Sequence, residues 1–163
     1  MAATVIGPGD GHAIDIDGLG VRYLIRSEDT GGRFALVEHP IAPRTLAAAM
    51  HIHEREDEYS FVLEGRVGVQ LGDEVLEAGP GDLVYKPRGQ WHAFWNATDE
   101  PARMLELISP GGFERFFDEI AGLLEGGQPD EQAIGALMGR YALTMDLATG
   151  ADLAAQHGLR NQF

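Results

Sequence analysis

Three histidines and one glutamate stand at spacings that suit a metal ion. His51 and His53 are one residue apart, Glu58 follows them, and His92 lies further along the chain. With their neighbours they make two clusters. The first is H-x-H-x4-E-x6-G, ending at Gly65; the second is G-x5-P-x-G-x2-H-x3-N, running from Gly81 through Pro87, Gly89 and His92 to Asn96. Neutral imidazoles and a carboxylate suit divalent Mn, Fe, Co, Ni, Cu or Zn, and ligand type alone does not choose among them. Three histidines and one glutamate in a roomy pocket leave coordination positions for water, substrate or dioxygen, which catalysis at a metal requires. His12, His39 and His157 lack partners at useful spacing and read as ordinary structural or surface histidines.

Strands must position these ligands. Residues i and i+2 of a strand share a face, so His51 and His53 project together. Glu58 has the opposite parity to His53. Glu54-Arg55-Glu56-Asp57 must therefore turn the chain, as a solvated hairpin, and return Glu58 on the neighbouring strand. His92 comes from a later strand, placed by the Pro87-Arg88-Gly89 turn. The same parity puts Ala47, Ala49, Ser60, Val62 and Phe94 on the metal-facing side. Ser60, Val62 and Phe94 are the candidate substrate contacts. Met50, Ile52, Tyr59, Phe61, Leu63, Trp91 and Trp95 fall on the other side. So apolar a face should not stand in water, and the expectation is that C-terminal helices and a second subunit cover it together.

From about residue 12 to 108 the chain reads as short strands broken by turns such as Asp29-Thr30-Gly31-Gly32, Gly72-Asp73 and Gly79-Pro80-Gly81, the pattern of an all-β sandwich or barrel. The expected strands are 21–25, 34–37, 50–53, 58–63, 67–71, 75–76, 83–85, 91–95 and 103–108. Beyond Pro110 the period changes. Phe113, Phe116, Phe117, Ile120 and Leu124 follow helical spacing up to Gly126-Gly127, and the Phe113–Phe117 group reads as core packing. Pro129-Asp130-Glu131 opens a second helix whose apolar face is Ile134, Leu137, Met138 and Tyr141. A weaker helix covers 148–157. The division is a β domain over 1–110 and a helical extension over 111–163 packed on it.

Composition narrows the function classes. At 163 residues the chain fits one domain with a sizeable core. A net charge of −14, with Lys86 the one lysine beside eleven arginines, argues against nucleic acid and anionic membrane surfaces. No apolar run approaches a membrane span. Cysteine is absent, which removes disulfides and thiolate chemistry. With no basic, apolar start over Met1–Asp10, the expected location is cytoplasmic. The Gly-Pro-Gly segments precede no phosphate-loop lysine, and G-x-S-x-G is absent.

At these two clusters the chain resembles the cupin superfamily. Both motifs are present, 15 residues apart (66–80), and the likeness extends over roughly 20–110. Ser109-Pro110-Gly111-Gly112-Phe113-Glu114-Arg115-Phe116-Phe117 is similar to the segment following the barrel in quercetin-dioxygenase-like monocupins. One departure is Thr45, where the family's first motif usually begins with glycine. The resemblance implies a double-stranded β-helix (jelly roll), a metal held by His51, His53, Glu58 and His92, and commonly a homodimer. It also places a catalytic role, contact with substrate or dioxygen and base action, on Glu58.

Cupins perform many reactions, so the site must decide. The first expectation is a metal-dependent dioxygenase of a flavonol-like or other enolizable aromatic substrate. A cupin isomerase or decarboxylase of small acids is one alternative and would want a basic group; Arg22, Arg44 and Arg103 are the candidates. A non-catalytic small-molecule-binding cupin is the other.

Overall fold

The computed structural model describes residues 4–125 and 130–160. The Gly126-Gly127 stop and Pro129 lie outside the described residues.

Two antiparallel sheets carry the fold. The larger contains β1 (Ala13–Ile16), β2 (Leu19–Ile25), β3 (Ala35–Ile41), β5 (Asp57–Glu64), β8 (Leu83–Lys86) and β10 (Ala102–Ser109), in the order β1-β2-β3-β10-β5-β8. The smaller contains β4 (Thr45–His53), β6 (Val67–Leu71), β7 (Glu74–Ala78), β9 (His92–Asn96) and β11 (Leu143–Asp146), in the order β11-β4-β9-β6-β7. Leu19, Ile41, Val62, Ala102 and Met104 from the first sheet pack against Val67, Val69, Ala78 and Phe94 from the second. Every residue of this cluster is buried, as the inner faces of two stacked sheets must be. Two facing antiparallel sheets are the architecture expected of a jelly roll.

Sequence expectations and structure differ in informative places. β4 begins at Thr45, five residues before the expected Met50, and its extra half is rich in alanine, a weak strand former. Two register irregularities against β9 bring both Ala47 and Ala48 to the inner space. Glu58 does not return on a strand beside β4. The turn after His53 crosses between the sheets, so β5 pairs with β10 and β8 while β4 pairs with β9 and β11.

α1 (Glu114–Leu124), α2 (Glu131–Arg140) and α3 (Ala148–His157) follow the β region. α1 and α2 cap one end of the inter-sheet space, where Phe113, Phe116 and Leu137 join Val21, Val37 and Ile108. Asp130 caps α2 by accepting from the Gln132 amide at 3.0 Å. Between α2 and α3 the chain makes β11, a strand absent from the sequence expectation. It adds to the edge of β4, with Leu143 opposite His53 and Met145 opposite His51.

The apolar outer side is two faces rather than one. On the smaller sheet, Leu46, Met50, Ala93 and Trp95 lie under Leu153 of α3, and Trp95 is 2% exposed. On the larger sheet no helix among the described residues covers the equivalent side: Phe61 is 40% and Leu83 59% exposed, beside Tyr85.

Candidate metal centre

The four ligand residues converge between the sheets. His51 and His92 are directly opposed partners on β4 and β9. His53 follows on the same face, and Glu58 reaches across from β5. All four are buried, and one ligand atom from each lies within 4.8 Å of every other. His53 Nε2 is 3.3 Å from Glu58 Oε1, and His92 Nε2 is 3.3 Å from Glu58 Oε2.

Backbone carbonyls fix the ring orientations. His51 Nδ1 donates to Ala49 O at 2.8 Å, and His92 Nδ1 donates to Gln90 O at 3.0 Å. A carbonyl only accepts, so in both rings Nδ1 carries the hydrogen and Nε2 keeps its lone pair toward the cluster. His92 Nε2 is buried and makes no hydrogen bond. Buried polar atoms are normally satisfied, so this orphan fits a group that the donor set would hold. Burial, reinforced by His92 and His53, holds His51 well below the usual imidazole range. Burial likewise lowers His53. Burial thereby favours the neutral, ligating form of both rings. Burial alone would raise Glu58, but His53 and Lys86 outweigh it and hold the carboxyl well below its ordinary value.

The turns that carry the motifs are tied to one another. Gly89 sits at φ +78° and donates to the carbonyl of His53 at 2.8 Å. Asp57 accepts from the backbone and guanidinium of Arg88, at 2.9 Å from N and 2.7 Å from Nη2. Asn96, fully buried, bonds Ile41 O, Ala42 O and Glu100 O through its amide and accepts from Thr98. The positions that read as punctuation hold the loops around the ligands. The Glu54–Asp57 segment is less solvated than expected: Glu56 is buried, with Oε2 3.9 Å from His53 Nδ1.

A cavity of about 530 Å³ opens from the cluster. Its polar lining includes His51, His53, Glu58 and Glu106, and Asp17 and Phe94 also border it. Its apolar end is built by the C-terminal segment: Phe113, Phe116, Phe117 and Ile120 from the start and body of α1, Ile134 and Met138 from α2, then Leu143, Met145 and Leu147. The phenylalanines expected to be core packing thus also line this cavity. Of the three candidate substrate contacts, Phe94 borders the cavity. Ser60 and Val62 do not: the Ser60 hydroxyl donates to Glu106 at 2.7 Å, and Val62 is in the inter-sheet core. None of the candidate arginines reaches it. Arg22 pairs with Glu38, Arg44 with Asp99, and Arg103 with Glu38 and Glu64.

Sequence reasoning missed the charges behind Glu58. The Lys86 ammonium lies 2.8 Å from Glu58 Oε2, an ion pair outside hydrogen-bonding geometry, and donates to Glu106 Oε1 at 2.5 Å. His39, read as ordinary, is fully buried and bonds Glu106 Oε2 at 3.1 Å. The available signal was strand parity: Lys86 shares the inward face of β8 with Val84, and Glu106 that of β10 with Met104 and Ile108.

Comparison with known proteins agrees with the fold. Residues 38–108 match the family model described as Cupin domain. The chain belongs to the cupin superfamily. It is 26% identical over 105 residues to quercetin 2,3-dioxygenase of Bacillus subtilis (strain 168), covering 64% of this chain and 31% of that one. Two further curated relatives are covered over 60% and 51% of their lengths, so the chain spans only part of the relatives it matches. Among solved structures it is similar to the polyketide cyclase RemF from Streptomyces resistomycificus, with 30% identity, a TM-score of 0.58, and coverage of 66% of this chain and 79% of that one. KdgF from Halomonas sp. shares the fold at 18% identity and a TM-score of 0.61, over 70% of this chain and 99% of that one. No helix among the described residues is long and apolar enough to cross a membrane.

Proposed function

We propose that this protein is a metal-dependent enzyme acting on an apolar, oxygen-bearing aromatic molecule, with dioxygenase chemistry on a flavonol-like or other enolizable substrate as the leading reading. The observation that carries it is the polarity of the cavity. One end exposes His51, His53 and Glu58 of the buried donor set that His92 completes. The other is a wall of aromatic and aliphatic side chains, and no lysine or arginine is among the residues that line it. A small anionic acid, the substrate of a decarboxylase or sugar-acid isomerase, would meet carboxylates and hydrocarbon there. A ring system with one polar edge would bury its rings and present its oxygens to the metal end.

His51, His53, Glu58 and His92 are the residues that would hold the ion, which would supply Lewis acidity toward a substrate oxygen. Glu58 is the group placed to take a proton from a substrate hydroxyl. Its neighbours keep it ionised, the state in which a base must begin. Phe94 and Phe113 flank the ligands and exclude water; Phe113 packs edge-on against His53 with ring centroids 4.3 Å apart.

The likeness to a polyketide cyclase favours a second reading: ring closure in a polyphenolic, polyketide-type substrate without consumption of oxygen. An oxygen electrode separates the two. Metal-loaded protein is expected to take up oxygen with quercetin or members of a catechol panel. Turnover of a polyphenol without uptake would favour the second reading, and binding without turnover would reduce the protein to a binding module. We further propose that a second copy covers the uncovered face around Phe61, Leu83 and Tyr85, giving a homodimer.

A further inference from the structure

The chain's one lysine is fully buried beside the proposed metal ligands. A buried ammonium is costly, and an apolar side chain of similar size is often the more stable choice. Its retention calls for a role, and its contacts define one. Lys86 directly opposes Glu58 in the β5–β8 register, so both side chains enter the same inner face. The ammonium is shared between Glu58 and Glu106, and it lies 4.9 Å from the centre of the Phe94 ring.

Glu106 is itself held. Ser60 donates to Oε1 and His39 bonds Oε2. His39 Nδ1 in turn faces Gly20 O at 2.9 Å. His39 therefore bridges the Gly20 carbonyl and the Glu106 carboxyl. The result is a line of charged and polar groups crossing five adjacent strands of one sheet, from the β2 backbone through β3, β10 and β5 to β8. Its free end is Glu58.

The geometry points to Lys86 as a positioning residue for the metal centre: anchored from behind by Glu106, it fixes the Glu58 carboxylate against the three histidines. This inference rests on the metal-binding reading. Residues that orient ligands from outside the coordination shell typically change metal affinity by about 10- to 100-fold when removed.

The test uses Co(II) as the probe, because its visible absorption reports the ligand environment. Chelator-treated wild type, Lys86→Met and Glu106→Gln are titrated by calorimetry and absorption, and folding is checked by circular dichroism. Wild type is expected to bind one Co(II) per chain. Lys86→Met should bind at least about tenfold more weakly with an altered spectrum, and Glu106→Gln should show the same spectral change with a smaller loss. If Lys86→Met does not fold, Glu106→Gln decides. A folded variant with wild-type affinity and spectrum would make Lys86 purely structural, and tighter binding would make it an opponent of the ion; either overturns the inference. Failure of wild type to bind Co(II) would instead overturn the metal-binding reading.

Discussion

The two ends of the cavity are built from different parts of the chain and held by different forces. The metal end comes from the two motifs. Its side chains are short, sit on paired strands, and are aimed by hydrogen bonds such as His51 Nδ1 to Ala49 O. The apolar end comes from α1, α2 and β11, where burial does the holding and direction is loose. A directional site tolerates almost no change in residue type or spacing. An apolar wall accepts many sequences of similar volume. On the proposed function, reaction class would reside at one end and substrate choice at the other, and the two should be separable by mutation.

The largest separation is expected from His92→Ala, which should lower metal affinity by at least about 100-fold, above the usual effect of outer groups, and abolish turnover. Metal analysis with circular dichroism checks it, and a metal-replete variant would break the comparison. Next is Glu106→Gln, read by acid unfolding. Burial and Glu58 push the Glu106 carboxyl up, but Lys86 and His39 outweigh them and bring it down to about 2. A depressed carboxylate contributes stability that is present above its unfolded value near 4.5 and lost as pH falls toward 2. Glu106→Gln should be less stable at neutral pH by on the order of 3 kcal/mol, with the two stability curves converging toward pH 2. Parallel curves would show that the charge carries no stability. At the other end, Phe117→Ala should leave metal stoichiometry unchanged and weaken aromatic substrate binding by about tenfold, the effect of losing roughly 1.4 kcal/mol of apolar contact. Metal loss in that variant would mean the ends are not independent. The smallest effect on the site is expected from Phe61→Lys on the uncovered outer face. It should shift the protein from dimer to monomer by light scattering while leaving metal content unchanged.

What could be read from the sequence follows the same division. The ligands were legible because spacing encodes strand parity, and Asn96 and Gly89 because turns demand particular residues. β11 was not. Leu143-Thr144-Met145-Asp146 is four residues long between helical segments, and only pairing with β4 makes it a strand. The start of β4 was hidden because Ala47-Ala48-Ala49 has little strand preference. Periodicity correctly gave α1 an apolar face through Phe113, Phe116 and Phe117, but period alone cannot say whether that face meets core or cavity. The outer side read as one surface because parity does not reveal that β4 and β5 belong to different sheets. Lys86 and His39 escaped because a lone charged residue on a strand is ordinarily exposed; what makes them special is three-dimensional pairing with Glu58 and Glu106.

The central claim is that His51, His53, Glu58 and His92 together hold one metal ion at the polar end of an apolar cavity. An anomalous difference map at the absorption edge of the metal that co-purifies with the protein tests it most directly. The account predicts one strong peak per chain, enclosed by these four side chains. A map with no peak there, or with its strongest peak elsewhere on the molecule, would contradict it.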